Sequence, residues 1–176
     1  MRRSVTISTL VVLVLAVALA VLLATRQPAS EATSSPSPLL GRPAPALEAR
    51  LLGSTREFRL ASDRGHVVVL SFWASWCGPC VAETPELSTF AWTHRGRVDV
   101  VGVVFNDSLA AAEGFVRHYG ALYPSLVDPG GAIALAYGVT SPPTTFVIDR
   151  HGRVAAELLG ATTARQLSAV VDRVRS

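Results

Sequence analysis

The chain has 176 residues, a formal charge of +3 and 49% hydrophobic residues, which suits one domain plus an appendage. Residues 1–40 hold three Arg against one Glu and the remainder 13 Arg against 12 acids, so the bulk of the chain is nearly neutral and offers no basic stripe to nucleic acid. All 16 basic side chains are Arg, so no lysine exists to act as a catalytic base or Schiff-base former.

Met1-Arg2-Arg3 precedes an uncharged stretch from Val5 to Ala24. As a helix, those 20 residues would span about 30 Å, the hydrocarbon thickness of a bilayer. No good small-x-small cleavage site follows the apolar run, so residues 1–24 are read as an uncleaved signal anchor, with a cleaved signal peptide as the alternative. Arg2 and Arg3 outweigh Arg26, which places the amino terminus in the cytoplasm. The protein is then expected at the cell membrane as a single-pass chain with its remaining residues outside, or secreted if the segment is cleaved. Residues 25–40 are rich in Pro, Ser, Thr and Ala and read as a semi-extended linker. The globular domain is expected over 41–176.

Within it, Leu47 to Leu51 and Arg56 to Leu60 flank Gly53-Ser54 as a hairpin. Val67 to Trp73 is a buried central strand. Gly78 to about Arg95 is helical, with Pro85 expected to bend it. Val98 to Phe105 is a second buried strand, and Leu109 to Gly120 a helix by its apolar spacing. Gly131 to Tyr137 is a short helix. Thr144 to Asp149 and Val154 to Leu159 form a hairpin about Arg150-His151-Gly152-Arg153. A last helix runs from Ala164 to Val174. This order implies an α/β fold with a central mixed β-sheet covered on both faces by helices.

The only cysteines, Cys77 and Cys80, sit where the first buried strand becomes a helix. Two thiols two residues apart at a helix start suit thiol–disulfide exchange. Unpaired N–H groups and the positive end of the helix dipole there favour the thiolate, which is the nucleophile. A structural disulfide across so short a loop would add little stability. A zinc site needs four ligands, and no two of His66, His94, His118 and His151 lie three to five residues apart. No metal is expected.

Ser71-Phe72-Trp73-Ala74-Ser75-Trp76-Cys77-Gly78-Pro79-Cys80, with Glu83 and Pro85, matches the pattern FWAxWCxPCxxExP. Gly138-Val139 through Pro143-Thr144-Thr145-Phe146-Val147-Ile148-Asp149 matches GVxxxPTTFxID, and Gly41 to Pro45 matches the segment that precedes them. On these residues the chain resembles the thioredoxin superfamily, in its TlpA/ResA/CcmG (DsbE-like) branch of membrane-tethered thiol–disulfide oxidoreductases, over about residues 41–176. The resemblance implies a thioredoxin-like fold with an N-terminal β-hairpin and an inserted strand-helix unit at Val98 to Gly120. Cys77 would be the exposed nucleophile and Cys80 the buried resolving thiol. Pro143 would be a cis-proline that, with Trp76, Gly78, Pro79 and Pro142, shapes the substrate groove. Trp73 reads as core.

Glu83, three residues beyond Cys80 on one helix face, can accept the Cys80 proton during resolution. Two departures stand out. Ser71 occupies a position where many thioredoxins carry a buried Asp, leaving Glu83 as the nearby acid. Pro142 has no N–H to offer a client strand where the family pairs its backbone with substrate, so one fewer backbone hydrogen bond is expected.

The resemblance further implies client protein disulfides as partners, apocytochrome c during cytochrome c maturation among them. It implies recycling by a membrane electron donor of the CcdA/DsbD type, and no cofactor in the chain itself. Two alternatives stay open: an oxidant that forms disulfides in secreted proteins, and a thiol reductase or copper-binding partner in cytochrome oxidase assembly.

Overall fold

The structure, a computed structural model, describes residues 37–175 and, of the preceding chain, Ala18 and the backbone of Thr33 and Ser34. The segment read as an anchor therefore lies, but for Ala18, outside the described residues. Among the described residues no helix is long and apolar enough to cross a membrane. The chain divides into two compact units, 1–30 and 31–176, and the second carries the architecture below.

Strand β4 (Val67–Trp73) is buried along its whole length, because seven apolar or small residues without a charge can be covered on both faces. It pairs in parallel with β5 (Val98–Val104) and antiparallel with β7 (Thr144–Ile148). Outside these lie β6 (Ser125–Leu126), β8 (Val154–Leu159) and β1 (Thr33–Ser34), in the order β1-β8-β7-β4-β5-β6. The hairpin β2 (Glu48–Arg50) and β3 (Glu57–Arg59) stands apart as a two-stranded sheet. It is fastened to the β6 edge by the Leu52 N–H to the Ser125 carbonyl at 2.7 Å and the Val127 N–H to the Arg50 carbonyl at 3.0 Å.

Alternation along β4 divides the core. Val68, Leu70 and Phe72 pack with Phe146, Ile148, Leu126 and Tyr137, the last from α3 (Ala132–Tyr137). Val67 and Val69 face Leu87 and Phe90 of α1 (Gly78–Thr93) and Leu167, Val170 and Val171 of α4 (Ala164–Arg175). Helix α2 (Leu109–Tyr119) lays Ala112 and Phe115 against Trp73 and both cysteines.

Local chemistry fixes the helix ends. The Ser108 hydroxyl accepts from the Ala111 N–H to start α2, and Gly120 ends it at φ 66°, a left-handed conformation that a side chain disfavours. The Asp128 carboxylate takes the N–H groups of Ile133 and Ala134, both at 2.9 Å, to open α3. Thr163 and Gln166 form a reciprocal capping box at the start of α4.

The expected elements are present, and the mixed sheet with its hairpin and its strand-helix unit β5–α2 is the expected arrangement. Helix α1 runs from Gly78 to Thr93 with Pro85 inside it, on the exposed side. Two features differ from the reading of the sequence. Strand β6 was not foreseen: two residues carry no alternation to detect, and its partners, β5 on one side and Leu51 and Leu52 on the other, lie far along the chain. Thr33 and Ser34, read as linker, pair with Leu159 and Leu158.

Trp73 is core, as expected. Its ring stacks on Phe115 at 4.7 Å between centroids and its Nε1–H donates to the Ser125 hydroxyl at 3.1 Å. That contact dictates Gly102: a Cβ there would stand 2.5 Å from both Ser125 Oγ and Trp73 Nε1. Gly102→Ala is expected to lower unfolding free energy by about 1–3 kcal/mol through overpacking, measured by urea titration. A Trp73→Phe background, which removes one of the two blocking atoms, should reduce that loss.

Candidate active site

Strand β4 delivers the chain to the site. Beyond Trp73, the Ala74–Cys77 segment turns, with the Cys77 N–H bonded to the Ala74 carbonyl at 3.2 Å, and α1 begins at Gly78. Cys77 is the N-cap of this helix, and its Sγ accepts the Cys80 N–H at 3.2 Å. The sulfur thus occupies the place that a Ser or Asp oxygen takes in an ordinary cap, where the field of the first turn favours negative charge. Pro79 lies in that first turn, where its missing N–H removes no helical bond.

Cys77 and Cys80 are joined, with an S–S length of 2.03 Å and Cα atoms 5.3 Å apart. Cys77 retains 4% exposure and Cys80 1%. The expectation of an exposed nucleophile is therefore corrected for the oxidised state: both sulfurs are covered, because they shield each other and pack with Trp73, Ala74, Val104, Ala112 and Phe115. Gly78, Pro79 and Trp76 are exposed around them.

Trp76 is 57% exposed yet not loose. Its Nε1–H donates to the Asn106 carbonyl at 3.2 Å, and its ring meets Phe105 edge-on. Asn106 adopts φ 43°, a left-handed conformation that Asn tolerates better than most residues. Next to it the Asp107 carboxylate accepts the Ser75 N–H at 2.6 Å and the Ser108 N–H at 2.8 Å. The 105–108 loop therefore clamps the segment that carries Cys77.

The Pro142–Pro143 peptide bond is cis. Strand register pairs Phe72 with Thr144, which sets Pro143 level with Trp73 at the end of β4 nearest the cysteines. The backbone here is short of donors. Pro142 and Pro143 have no N–H. The Ser141 carbonyl is taken by the Thr144 hydroxyl at 2.8 Å, and the Pro143 carbonyl by the Gly160 N–H at 3.0 Å.

Glu83 lies in the second turn of α1 with only 1% of its surface exposed. One carboxylate oxygen accepts the Thr162 N–H at 3.0 Å, and the other the Ser71 hydroxyl at a long 3.5 Å. Burial pushes its carboxyl up to about 7, against the two hydrogen bonds, which favour the charged form. Close by, burial raises the phenol of Tyr123, which bonds Thr84, and the Glu83 charge raises it further. The Thr84 hydroxyl in turn donates to the Cys80 carbonyl at 2.9 Å.

Sequence reasoning named Cys77, Cys80, Glu83, Trp76, Gly78, Pro79, Pro142 and Pro143. It missed Thr162, Asn106, Asp107 and Tyr123. A trace of Thr162 was present in the capping signature Thr163-x-x-Gln166, which marks a helix start beside it. The others are loop residues without a local pattern. Two open clefts of about 490 and 450 Å³ lie between the β2–β3 turn and α2, and neither is lined by either cysteine. Among the described residues, no three His, Cys, Asp or Glu side chains gather as metal ligands.

A reversible dithiol capping a helix at the rim of this sheet is the working part of a thiol–disulfide oxidoreductase with a thioredoxin-like fold, and the relatives agree. The chain belongs to the Redoxin family, whose pattern matches residues 39–172. The thiol:disulfide interchange protein HelX of Rhodobacter capsulatus is 33% identical over 145 residues, covering 81% of each chain. The thiol-disulfide oxidoreductase ResA of Bacillus thuringiensis is 31% identical over 120 residues, covering 68% of this chain and 69% of that protein. Among solved structures, a DsbF homologue from Corynebacterium diphtheriae superposes with a TM-score of 0.68 at 32% identity, covering 75% of this chain and 86% of the other.

The elevated Glu83 carboxyl has a consequence for stability. The folded protein holds this proton to a higher pH than the unfolded chain, so the group's contribution is most favourable below about pH 4.5 and is lost as pH rises through about 7. With the disulfide intact, Glu83→Gln should remove that decline. At pH 8 the variant should exceed the parent in unfolding free energy by on the order of 1–3 kcal/mol, measured by denaturant titration at pH 5 and pH 8.

Proposed function

We propose that this chain is a membrane-anchored, extracytoplasmic reductant of protein disulfides that serves cytochrome c maturation, with apocytochrome c as its client. The observation that carries the chemistry is Cys77 as the N-cap of α1, one turn ahead of Cys80 and two ahead of the buried Glu83. Its extracytoplasmic placement rests on the apolar stretch from Val5 to Ala24 behind Arg2 and Arg3. The client rests on the likeness to the TlpA/ResA/CcmG branch, and a CcdA/DsbD-type membrane protein is the matching electron donor.

In the reaction, the Cys77 thiolate attacks one sulfur of a client disulfide. The client S–S bond breaks, a client thiolate departs and takes a proton from solvent, and a mixed disulfide forms. Cys80 then gives its thiol proton to the Glu83 carboxylate and attacks Cys77 Sγ. The second client sulfur leaves as thiolate and is protonated, and Cys77–Cys80 closes. Two electrons pass from the pair to the client. Glu83, held near neutral pKa, is matched to this transfer: a carboxyl in the ordinary acidic range would take a thiol proton less readily.

Trp76, Gly78, Pro79, Pro142 and Pro143 form the client-facing rim. With no N–H on either proline and the Ser141 and Pro143 carbonyls each already accepting one bond, the Pro142 carbonyl is a backbone acceptor open to a client strand. Recognition then leans on side chains such as Trp76.

The direction of electron flow is tested by the reduction potential of the pair, read by Trp fluorescence in a glutathione or dithiothreitol buffer. A value near or below about −230 mV is expected; one near about −120 mV would make the protein a disulfide donor and remove the cytochrome c reading. Pro142→Ala should restore one donor. In a Cys77→Ser/Cys80→Ser background it should tighten an oxidised client peptide by about fivefold, a gain in line with one added hydrogen bond. Unchanged affinity would remove the backbone argument.

A further inference from the structure

Thr145 Oγ1 is buried and unpartnered among the described residues. Its place in the sheet gives that isolation a meaning. Thr145 stands directly opposite Ser71 in the β4–β7 pair, just as Val147 stands opposite Val69. Val69 and Val147 face the α1 and α4 side of the core. By the two-residue alternation of strands, Ser71 and Thr145 face the same side, with Cβ atoms about 4.5–5.5 Å apart. Glu83 is on that side, and Ser71 is its hydroxyl partner. Two hydroxyls and one carboxyl thus share a buried compartment in which all three residues are at most 1% exposed.

Valine would fill the Thr145 site with the same shape and leave no polar atom unmet. A hydroxyl kept there without a partner weakens the resting state. It gains a use when a neighbour changes charge. Ser71 has one proton to give, and when it gives it to Glu83 its oxygen can still accept. Thr145 is the adjacent group with a free proton. The 3.5 Å separation of Ser71 Oγ and Glu83 Oε2 leaves room for the contact to shorten.

We propose that Ser71 and Thr145 are a positioning pair for Glu83: as the carboxyl ionises, Thr145 donates to Ser71, and Ser71 in turn holds the carboxylate. Hydroxyls linked in series polarise one another, and a bond to an ionised acceptor is stronger than one to a neutral acceptor. The pair therefore favours the charged form of Glu83, the form that must be ready when Cys80 presents its proton. This use rests on the reading of Glu83 as proton acceptor. The other groups about Glu83 are Cys80, one turn back on its own helix, the Tyr123 phenol from the loop before β6, which the Glu83 charge raises, and the Thr162 amide ahead of α4. Glu86, on the same helix, is engaged by the Ala164 N–H at 2.8 Å.

The test titrates Glu83 directly in the full-length oxidised protein. The infrared absorption of its protonated carboxyl is isolated by subtracting the Glu83→Gln spectrum. Thr145→Val should raise the midpoint by about half to one pH unit, an amount in line with one lost hydrogen bond. Thr145→Ala, which cannot overpack, should do the same, and Thr145→Ser should restore the parent value. An unmoved midpoint in a folded Val or Ala variant overturns the proposal. The pH profile of mixed-disulfide resolution, followed by stopped-flow Trp fluorescence, separates the underlying reading. If the midpoint rises and the rate profile moves with it, both stand. If the midpoint rises and the profile does not follow, the pair still positions Glu83, and Glu83 is not the acceptor of the Cys80 proton.

Discussion

Everything at this site depends on a sulfur doing the work of a helix cap. The first turn of an α-helix leaves N–H groups that need acceptors, and Cys77 Sγ takes one of them, from Cys80. The same bond that helps start α1 places the second cysteine one turn away and exposes the first to the positive end of the helix. For that to hold, the strand before it must be rigid. Strand β4 is buried on both faces and paired on both edges, so the position of Trp73, and hence of the turn beyond it, is set by the middle of the sheet. The 105–108 loop adds a brace by bonding Ser75 and Trp76.

The second organising fact is a carboxyl sealed behind the cysteines. A buried charge is costly unless it is met by hydrogen bonds, and Glu83 has one from Thr162 and a long one from Ser71. This partial compensation leaves the group poised near neutrality. The carboxyl whose ionisation is expected to cost the fold stability as pH rises sits one helical turn beyond Cys80.

Much of this was legible beforehand because the signals are local. Val67 to Trp73 is too apolar to be other than buried, Ser108 and Gly120 punctuate α2, and the Cys-Gly-Pro-Cys run sits where a helix must begin. The cis-proline followed from resemblance to known sequences, and the nearness of Glu83 to Cys80 from their spacing on one helix. What escaped had no local periodicity: the two residues of β6, the pairing of Thr33 and Ser34, and the contacts of Asn106, Asp107, Tyr123 and Thr162 with residues far along the chain.

The sequence by itself determined the chemistry and its address: two thiols at a strand-to-helix turn, a carboxylate one helical turn on, and a proline pair without an N–H. These are covalent facts or spacings within one element, which local geometry turns directly into position. Only the tertiary structure decided how the groups are tuned. The burial of both sulfurs, the elevation of the Glu83 carboxyl, the clamp on Trp76 and the facing hydroxyls of Ser71 and Thr145 arise where separate strands and helices meet. Their energies come from lost solvent and from partners brought together by sheet register, which no stretch of sequence contains.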